Sequence, residues 1–405
     1  MISFDEALDR ILAAMTAQPP EQVALADAHG RVLAEDLTAR LDQPPAAVSA
    51  MDGYAVRAAD TTAPPATLDL IGEAPAGGAF DGTVGPDQAV RIFTGGPLPD
   101  GADAIVIQED TERPDDGHVR VLEAATAGRH VRAAGIDFRA GEAPLRRGRA
   151  LTARDLALAA AMNRPWLRVA RRPRVAVLAT GDELVMPGEP LGPNQIVSAN
   201  STGLMALIRA AGGEPVDLGI APDEADALQA MAAAHRGCDM LVTIGGASVG
   251  DRDLVQSVLG ETGFDLDFWK VAIKPGKPLI FGRIGDTPLL GLPGNPVSAL
   301  VCALLFLKPA LGAMLSLPRE TAPLSRARLG RDLDANGNRQ DYMRAALVTD
   351  ADGVPVATPF ELQDSSVLSI LARANCLIVR PPHAPAARAG DEVRILPLDF
   401  GLLRG

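Results

Sequence analysis

Between residues 171 and 318 the chain alternates short apolar runs with amphipathic stretches, and this alternation constrains the fold more than any other feature. Arg174–Ala179, Pro215–Leu218 and Met240–Ile244 read as buried strands, and residues 204–211 and 223–234 as helices. A further strand pair, Leu279–Phe281 and Leu289–Leu290, leads to Gly291-Leu-Pro-Gly-Asn-Pro296. There Asn295 as N-cap and Pro296 at the first helical position start a helix. Strands alternating with helices build a doubly wound, mostly parallel sheet with right-handed connections. Ligands of such sheets bind outside the carboxyl ends of the strands. The glycine loops at 181, 245 and 291–294 all leave strands at that end, so the pattern predicts that they converge.

The residues in these loops suit a phosphorylated small molecule. Glycines at Gly245-Gly246 let the backbone turn sharply and come close to a ligand. Ser248 or Asp251 would cap a helix beginning near Arg252. Exposed amides at such a turn form an anion site. Lys274-Pro-Gly-Lys277-Pro278 places two lysines on a stiffened loop, with Lys270 just upstream beside Trp269, where it is equally a surface charge. The dinucleotide G-x-G-x-x-G fingerprint and the phosphate-binding P-loop pattern are both absent, which excludes the two commonest nucleotide sites.

The flanks differ in character. Ser3 and Glu6 stand at capping-box spacing before an amphipathic helix, and Thr152 with Asp155 repeats the device before residues 151–162. Residues 29–38 suggest a turn and a short helix. Residues 46–145 and 319–405 carry short apolar runs between Gly- and Pro-rich turns, the mark of β-rich domains. Asp52-Gly53 between apolar residues has the form of a hairpin turn. Aromatic residues are only 3% of the chain, so the cores must be packed from Ala, Val, Leu and Ile. The formal charge of −13 is wrong for a general nucleic-acid binder. Cys238, Cys302 and Cys376 form no CxxC pair, which fits a reducing cytoplasm and no zinc site. The longest apolar run, Ala299–Leu307, is too short to span a bilayer and reads as a buried helix ending at Lys308-Pro309, so no membrane association is expected.

Six segments together carry a specific resemblance: MDGYAV at 51–56, RIFTGGPLPDGAD at 91–103, GIDFR at 135–139, GGASVG at 245–250, KPGKP at 274–278 and GLPGNPVS at 291–298. In this order they resemble the molybdopterin molybdenumtransferase family, enzymes related to the E domain of gephyrin. The resemblance implies an elongated helical domain (1–45 and 146–172) with a β-rich insertion (46–145). A molybdopterin-binding α/β domain (173–318) and a small barrel-like β domain (319–405) follow. Helix 151–162 would return to pack on the N-terminal helix. The implied reaction inserts molybdate into adenylylated molybdopterin, with hydrolysis and release of AMP and Mg2+ assisting. A homodimer with shared active sites is implied as well.

By the same resemblance Asp52, Thr94, Asp137, Glu183, Lys270 and Lys274 are catalytic candidates. Gly181, Asp182, Ser198, Asn200, Gly245, Gly246, Ser248, Gly250, Lys277, Pro293, Gly294 and Asn295 would bind substrate. Asp182, Glu183 and Asp253 are hard oxygen donors suited to magnesium, with helix capping the alternative for Asp182 and Asp253. Arg344 and Ser365 would receive molybdate, a tetrahedral dianion that needs cationic and hydroxyl donors. The chain departs from the family at Asp364, where a glycine is usual; an acid beside an anion site must point away, and capping a helix near Ser366 would do that. Two other readings share some features: an adenylyltransferase-like protein with only the α/β domain, and a non-catalytic pterin-binding scaffold. Asp52, Thr94 and Arg344 in the flanks weigh against the first, and the acidic loop residues against the second.

Overall fold

The computed structural model describes residues 1–75, 77–245, 264–319 and 324–398. The chain forms two compact units, one of residues 1–21, 30–34 and 169–405 and the other of 22–29 and 35–168.

In the first unit a six-stranded sheet runs in the order Glu214–Ala221, Arg174–Thr180, Met240–Ile244, Thr287–Leu292, Ile280–Ile284, Phe264–Trp269. The first four strands are parallel, and the last two are added antiparallel as a hairpin edge. Successive residues face opposite ways, and both faces are apolar. Val175, Val177, Val242 and Leu290 enter one core, and Ala176, Leu178, Leu241 and Leu289 the other. Burial on both sides explains the uninterrupted apolar runs read in the sequence.

The long core helix differs from the sequence expectation. It does not stop at Lys308-Pro309 but runs from Pro296 to Met314, with a π turn at Ala303–Leu307 between α-helical segments. Pro309 has no N–H to donate, and in a regular α-helix its ring would strike the carbonyl of Leu305. Widening the preceding turn relieves that clash and lets the helix continue. This helix is apolar enough and long enough to cross a membrane by composition, yet it is 72% buried within the protein. Its apolar surface is taken up by the core, with the Phe306 ring tilted against that of Phe4 in the N-terminal helix Phe4–Ala13, 5.4 Å between centres.

Five strands of the C-terminal region close into a small barrel. Gln340–Thr349 pairs with both Pro355–Pro359 and Cys376–Arg380, and Ser325–Leu329 and Glu392–Pro397 complete the ring. The two-residue strand Ile273–Lys274 joins this barrel in parallel, with Lys274 opposite Asp341.

The second unit is built on another six-stranded sheet: Ala104–Ile107, Gly53–Val56, Gln88–Ile92, Ala66–Ala74, His118–Val121, Thr111–Asp115. Asp52-Gly53 is therefore not a hairpin turn. Gly53 opens a strand held between two others, and a Cβ there would lie 2.0 Å from the Val106 carbonyl oxygen, so only glycine fits. Residues 29–38 hold no helix either. In that stretch Asp36 is drawn into tertiary contacts, its carboxylate accepting from the Arg147 amide at 2.9 Å and the Arg146 guanidinium at 2.7 Å. The two helices expected to pack on each other fall in different units: Phe4–Ala13 lies against Lys308–Met314, and Ala153–Ala161 against Leu25–Asp27.

The capping box at Ala153–Ala161 is formed and buried. Asp155 accepts from the Thr152 amide (2.8 Å), the Thr152 hydroxyl (2.7 Å) and Arg149 Nε (2.9 Å). Burial pushes its carboxyl up, but those three donors outweigh burial and hold it below the usual range. A depressed carboxyl stabilises the fold above its unfolded value, and the contribution disappears as pH falls through the folded value. We predict that Asp155→Asn lowers stability by about 1–2 kcal/mol at neutral pH. In urea titrations across pH, the gap between variant and parent should narrow in acid; a gap that widens in acid contradicts the assignment.

Candidate active site

Three chain reversals meet at the carboxyl ends of the parallel strands. Arg174–Thr180 exits through Gly181, Met240–Ile244 through Gly245, and Thr287–Leu292 through Pro293-Gly294. Gly245 has φ +94, and a Cβ there would come within 2.7 Å of the Thr180 carbonyl oxygen. Gly181 has φ +145, and a Cβ there would meet the Glu183 carboxylate at 2.5 Å. Glu183 thus folds back over the turn. Gly294 sits beside Gly245, 3.7 Å separating its ideal Cβ position from the Gly245 Cα. The expected convergence of the three loops is what the fold builds. Asn200, in the first turn of helix Ala199–Ala210, ties in a fourth segment by donating to the Gly294 carbonyl at 2.7 Å. Ser198 precedes that helix, buried, with its hydroxyl 3.4 Å from that of Ser201. A cleft of about 460 Å³ opens beside the Gly181 turn, lined by Gly181, Asp182, Leu184, Met186, Glu189 and Pro222 among others.

The carboxylates expected to hold magnesium divide. Asp182 Oδ1 accepts from the Asp223 amide at 2.9 Å, two residues before helix Ala225–Ala233, so it ties down the approach to that helix and does not cap its first turn. Glu183 follows directly and is exposed. Asp253, Gly246, Ser248, Gly250 and the cap residue Asp251 lie outside the described residues.

The lysine loop is anchored at both ends. Gly276 has φ +106, and a Cβ there would overlap Cys302 Sγ at 2.2 Å, so the loop lies hard against the core helix. Lys274 Nζ pairs with Asp341 Oδ2 at 3.1 Å. Lys277 is exposed. Lys270 lies outside strand Phe264–Trp269, which ends just before it, and it has φ +74. Its ammonium sits 3.6 Å from the centre of the Trp269 ring, a cation–π contact at a half-buried position.

Arg344 occupies a different environment from the open fork expected of an anion receptor. It is 1% exposed, and its Nη2 donates to the carbonyls of Asp364 (3.1 Å) and Leu362 (3.5 Å). Its Nε has no hydrogen-bond partner among the described residues. Burial pushes its pKa down, opposed by the charges of Asp341 and Asp364. The guanidinium therefore holds the 362–366 loop from beneath. Gln363 adds to this by accepting from the Arg344 amide (3.0 Å) and donating to its carbonyl (2.9 Å), as a neighbouring strand would. The same loop docks on the core helix: Ser365 O accepts from the Val297 amide at 3.0 Å, and Ser365 Oγ accepts from Asn295 Nδ2 at 2.9 Å. Asn295 occupies the N-cap position as expected, but its side chain serves Ser365 rather than the helix. Asp364 does not cap a helix, because the helix begins at Leu368. Its carboxylate instead accepts from the Ser366 amide (2.8 Å) and hydroxyl (2.7 Å), which hold its pKa below the usual range.

In the second unit Asp52 and Thr94 are brought together, although 42 residues apart. Asp52 Oδ1 accepts from the Thr94 amide at 2.7 Å and the Thr94 hydroxyl at 2.9 Å. These bonds, the amide's first, hold the Asp52 carboxyl below the usual range and hence ionised. Asp137 is exposed on the turn that follows Gly135. Asp341 and Gln363 were not singled out from sequence. Each acts through a partner far away in the chain, and no local spacing marks them.

Family models match along the chain: MoeA N-terminal region (domain I and II) over residues 2–163, a probable molybdopterin binding domain over 176–313, and MoeA C-terminal region (domain IV) over 326–398. The molybdopterin molybdenumtransferase of Haemophilus influenzae is 34% identical over 402 residues, covering 98% of this chain and 99% of the relative. Molybdopterin molybdenumtransferase 2 of Mycobacterium tuberculosis is 37% identical, covering 98% and 99%. Among solved structures, the molybdopterin biosynthesis moeA protein of Pyrococcus horikoshii superposes with a TM-score of 0.86 at 29% identity, covering 98% of this chain and all of that one. The match extends through both compact units and the C-terminal barrel, not only the α/β sheet: the chain belongs to the molybdopterin molybdenumtransferase family.

Proposed function

We propose that this chain is a transferase that inserts molybdenum into molybdopterin, taking adenylylated molybdopterin and molybdate and releasing AMP. The observation that carries the reading is the meeting of the Gly181, Gly245 and Gly294 turns at one end of the parallel sheet. The Gly181 and Gly245 amides already donate to the Ala221 and Leu292 carbonyls (3.2 and 3.1 Å) and the Glu183 carboxylate lies over the first turn, so these two glycines allow the close approach and the anion contact falls to the Gly294 turn and the lysines. Asn200 fixes the Gly294 turn for that purpose. Lys277 meets phosphate charge from the stiffened loop, and Lys274 does so while anchored to Asp341.

Asp182 and Glu183, adjacent at a strand end, fit magnesium by donor chemistry, since that ion takes one or two carboxylates and completes its shell with water and phosphate oxygen. When bound there, magnesium would neutralise charge on the phosphoanhydride. Molybdate is received at the 362–366 loop. Ser365 offers its hydroxyl, and Arg344 contributes by shaping the loop and by its positive charge. Asp364 stays out of the way, turned into its bonds with Ser366. Asp52, kept ionised by Thr94, acts at the site of a second subunit, so the working form is a homodimer with shared sites.

Three outcomes are expected. Glu183→Gln should weaken the magnesium dependence of AMP release while leaving pterin binding in place; equal loss of both would give Glu183 a folding role. Ser365→Ala should raise the molybdate concentration needed for half-maximal rate by roughly 10- to 100-fold, the worth of one hydrogen bond to a charged group, with AMP release at saturating molybdate unchanged. Asp52→Ala and Lys274→Ala proteins, each with only residual turnover alone, should regain part of the activity after subunit exchange, because one mixed site carries both residues. Absence of recovery despite demonstrated exchange would place Asp52 in its own chain's site.

A further inference from the structure

We propose that Asp341 is a positioning residue for Lys274, fixing where the ammonium meets the substrate anion. The proposal rests on the reading of the lysine loop given above and goes beyond it. Asp341 lies on the barrel strand Gln340–Thr349, held by Ile273–Lys274 on one side and Cys376–Arg380 on the other. It is 8% exposed. The Lys274 side chain is half exposed, against 12% for that of Asp341, and the two meet at 3.1 Å. One partner is thus set rigidly in the barrel, and the other reaches outward from a two-residue strand.

That asymmetry has a chemical consequence. Lysine is a point charge on a flexible stem, so where it acts depends on what restrains it. A carboxylate one ion pair away restrains it at a cost, since its own charge opposes the capture of an anion. Asp341 is therefore poorly placed to improve ground-state binding and well placed to improve turnover, which needs charges already in position when the transition state forms. Nothing local in the sequence points to Asp341. The parallel pairing of Lys274 with Asp341 creates the contact.

The test uses the full-length protein with adenylylated molybdopterin, molybdate and magnesium. Asp341→Asn removes the charge and keeps the shape. The expected result is a kcat lowered about 10- to 100-fold, with a KM for adenylylated molybdopterin unchanged or reduced. A merely structural role would not separate kcat from KM in that direction. In a Lys274→Met background the same substitution should change kcat by less than about twofold, because its action runs through the lysine. Asp341→Asn that leaves kcat untouched, or that lowers it as much in the Lys274→Met background as in the parent, overturns the proposal. If Asp341→Asn does not fold, Asp341→Glu serves instead, moving the carboxylate by one methylene; the same kcat loss and the same non-additivity are expected. Lys274→Met with full parental turnover is a separate result: it refutes the reading of the lysine loop itself.

Discussion

The close approach of Gly245 to the end of strand Arg174–Thr180 is the constraint on which the rest of the site depends. A Cβ on Gly245 would press within 2.7 Å of the Thr180 carbonyl oxygen, and Gly294 lies against the same turn. That crowding follows from the parallel ladder, which pairs Val175–Ala179 with Met240–Ile244 and Leu241–Ile244 with Leu289–Leu292 in register. Three strands ending level must release their chains into the same small space. Glycine, free to take positive φ, allows the reversals at 181 and 245, and the Gly294 turn fits beside Gly245 at ordinary contact distance. Burial of both sheet faces in Val, Leu and Ala then makes this arrangement rigid.

A second group of contacts ties the C-terminal barrel to the core helix. Ser365 occupies the helix N-terminus with both its carbonyl and its hydroxyl, and Arg344 and Gln363 hold the loop that presents it. At the far end of the same helical segment, Cys302 lies against Gly276 of the lysine loop. One helix therefore sets the placement of the glycine turn before it, the barrel loop over its start and the lysine loop along its side. Its π turn, forced by Pro309, belongs to that design, since the helix must continue to Met314 to be buried.

Much of this was legible in the sequence for a physical reason. Parallel strands buried on both faces are continuous apolar runs, and their exits are marked by glycine, so the sheet and the three converging turns could be read before any coordinates. The caps at Ser3 and Thr152 were equally plain, because a cap is a local interaction, although Glu6 turns its carboxylate to Arg10 instead of closing the box at Ser3. What could not be read depends on partners distant in sequence. Arg344 looks like an anion fork in isolation, but the barrel buries it and turns it onto carbonyls at 362 and 364. Asn295 looks like an ordinary helix cap, but a serine 70 residues away claims its amide. Asp52-Gly53 looks like a hairpin, but its glycine is required by the neighbouring strand at Val106. Lys270, by contrast, has its contact partner next to it in the sequence, its ammonium lying over the Trp269 ring.

The central claim is that the strand-end turns and the lysine loop together grip one polyanionic substrate. Amide hydrogen exchange with and without adenylylated molybdopterin addresses it most directly, because exchange reports protection segment by segment. Protection should rise at 181–183, at 274–277 and at 293–295, and stay unchanged in the barrel turn at 332–337, which is remote from these loops in the chain and carries none of the proposed contacts. Protection confined to the barrel turn, with the glycine turns and the lysine loop exchanging as in the free protein, would contradict the account.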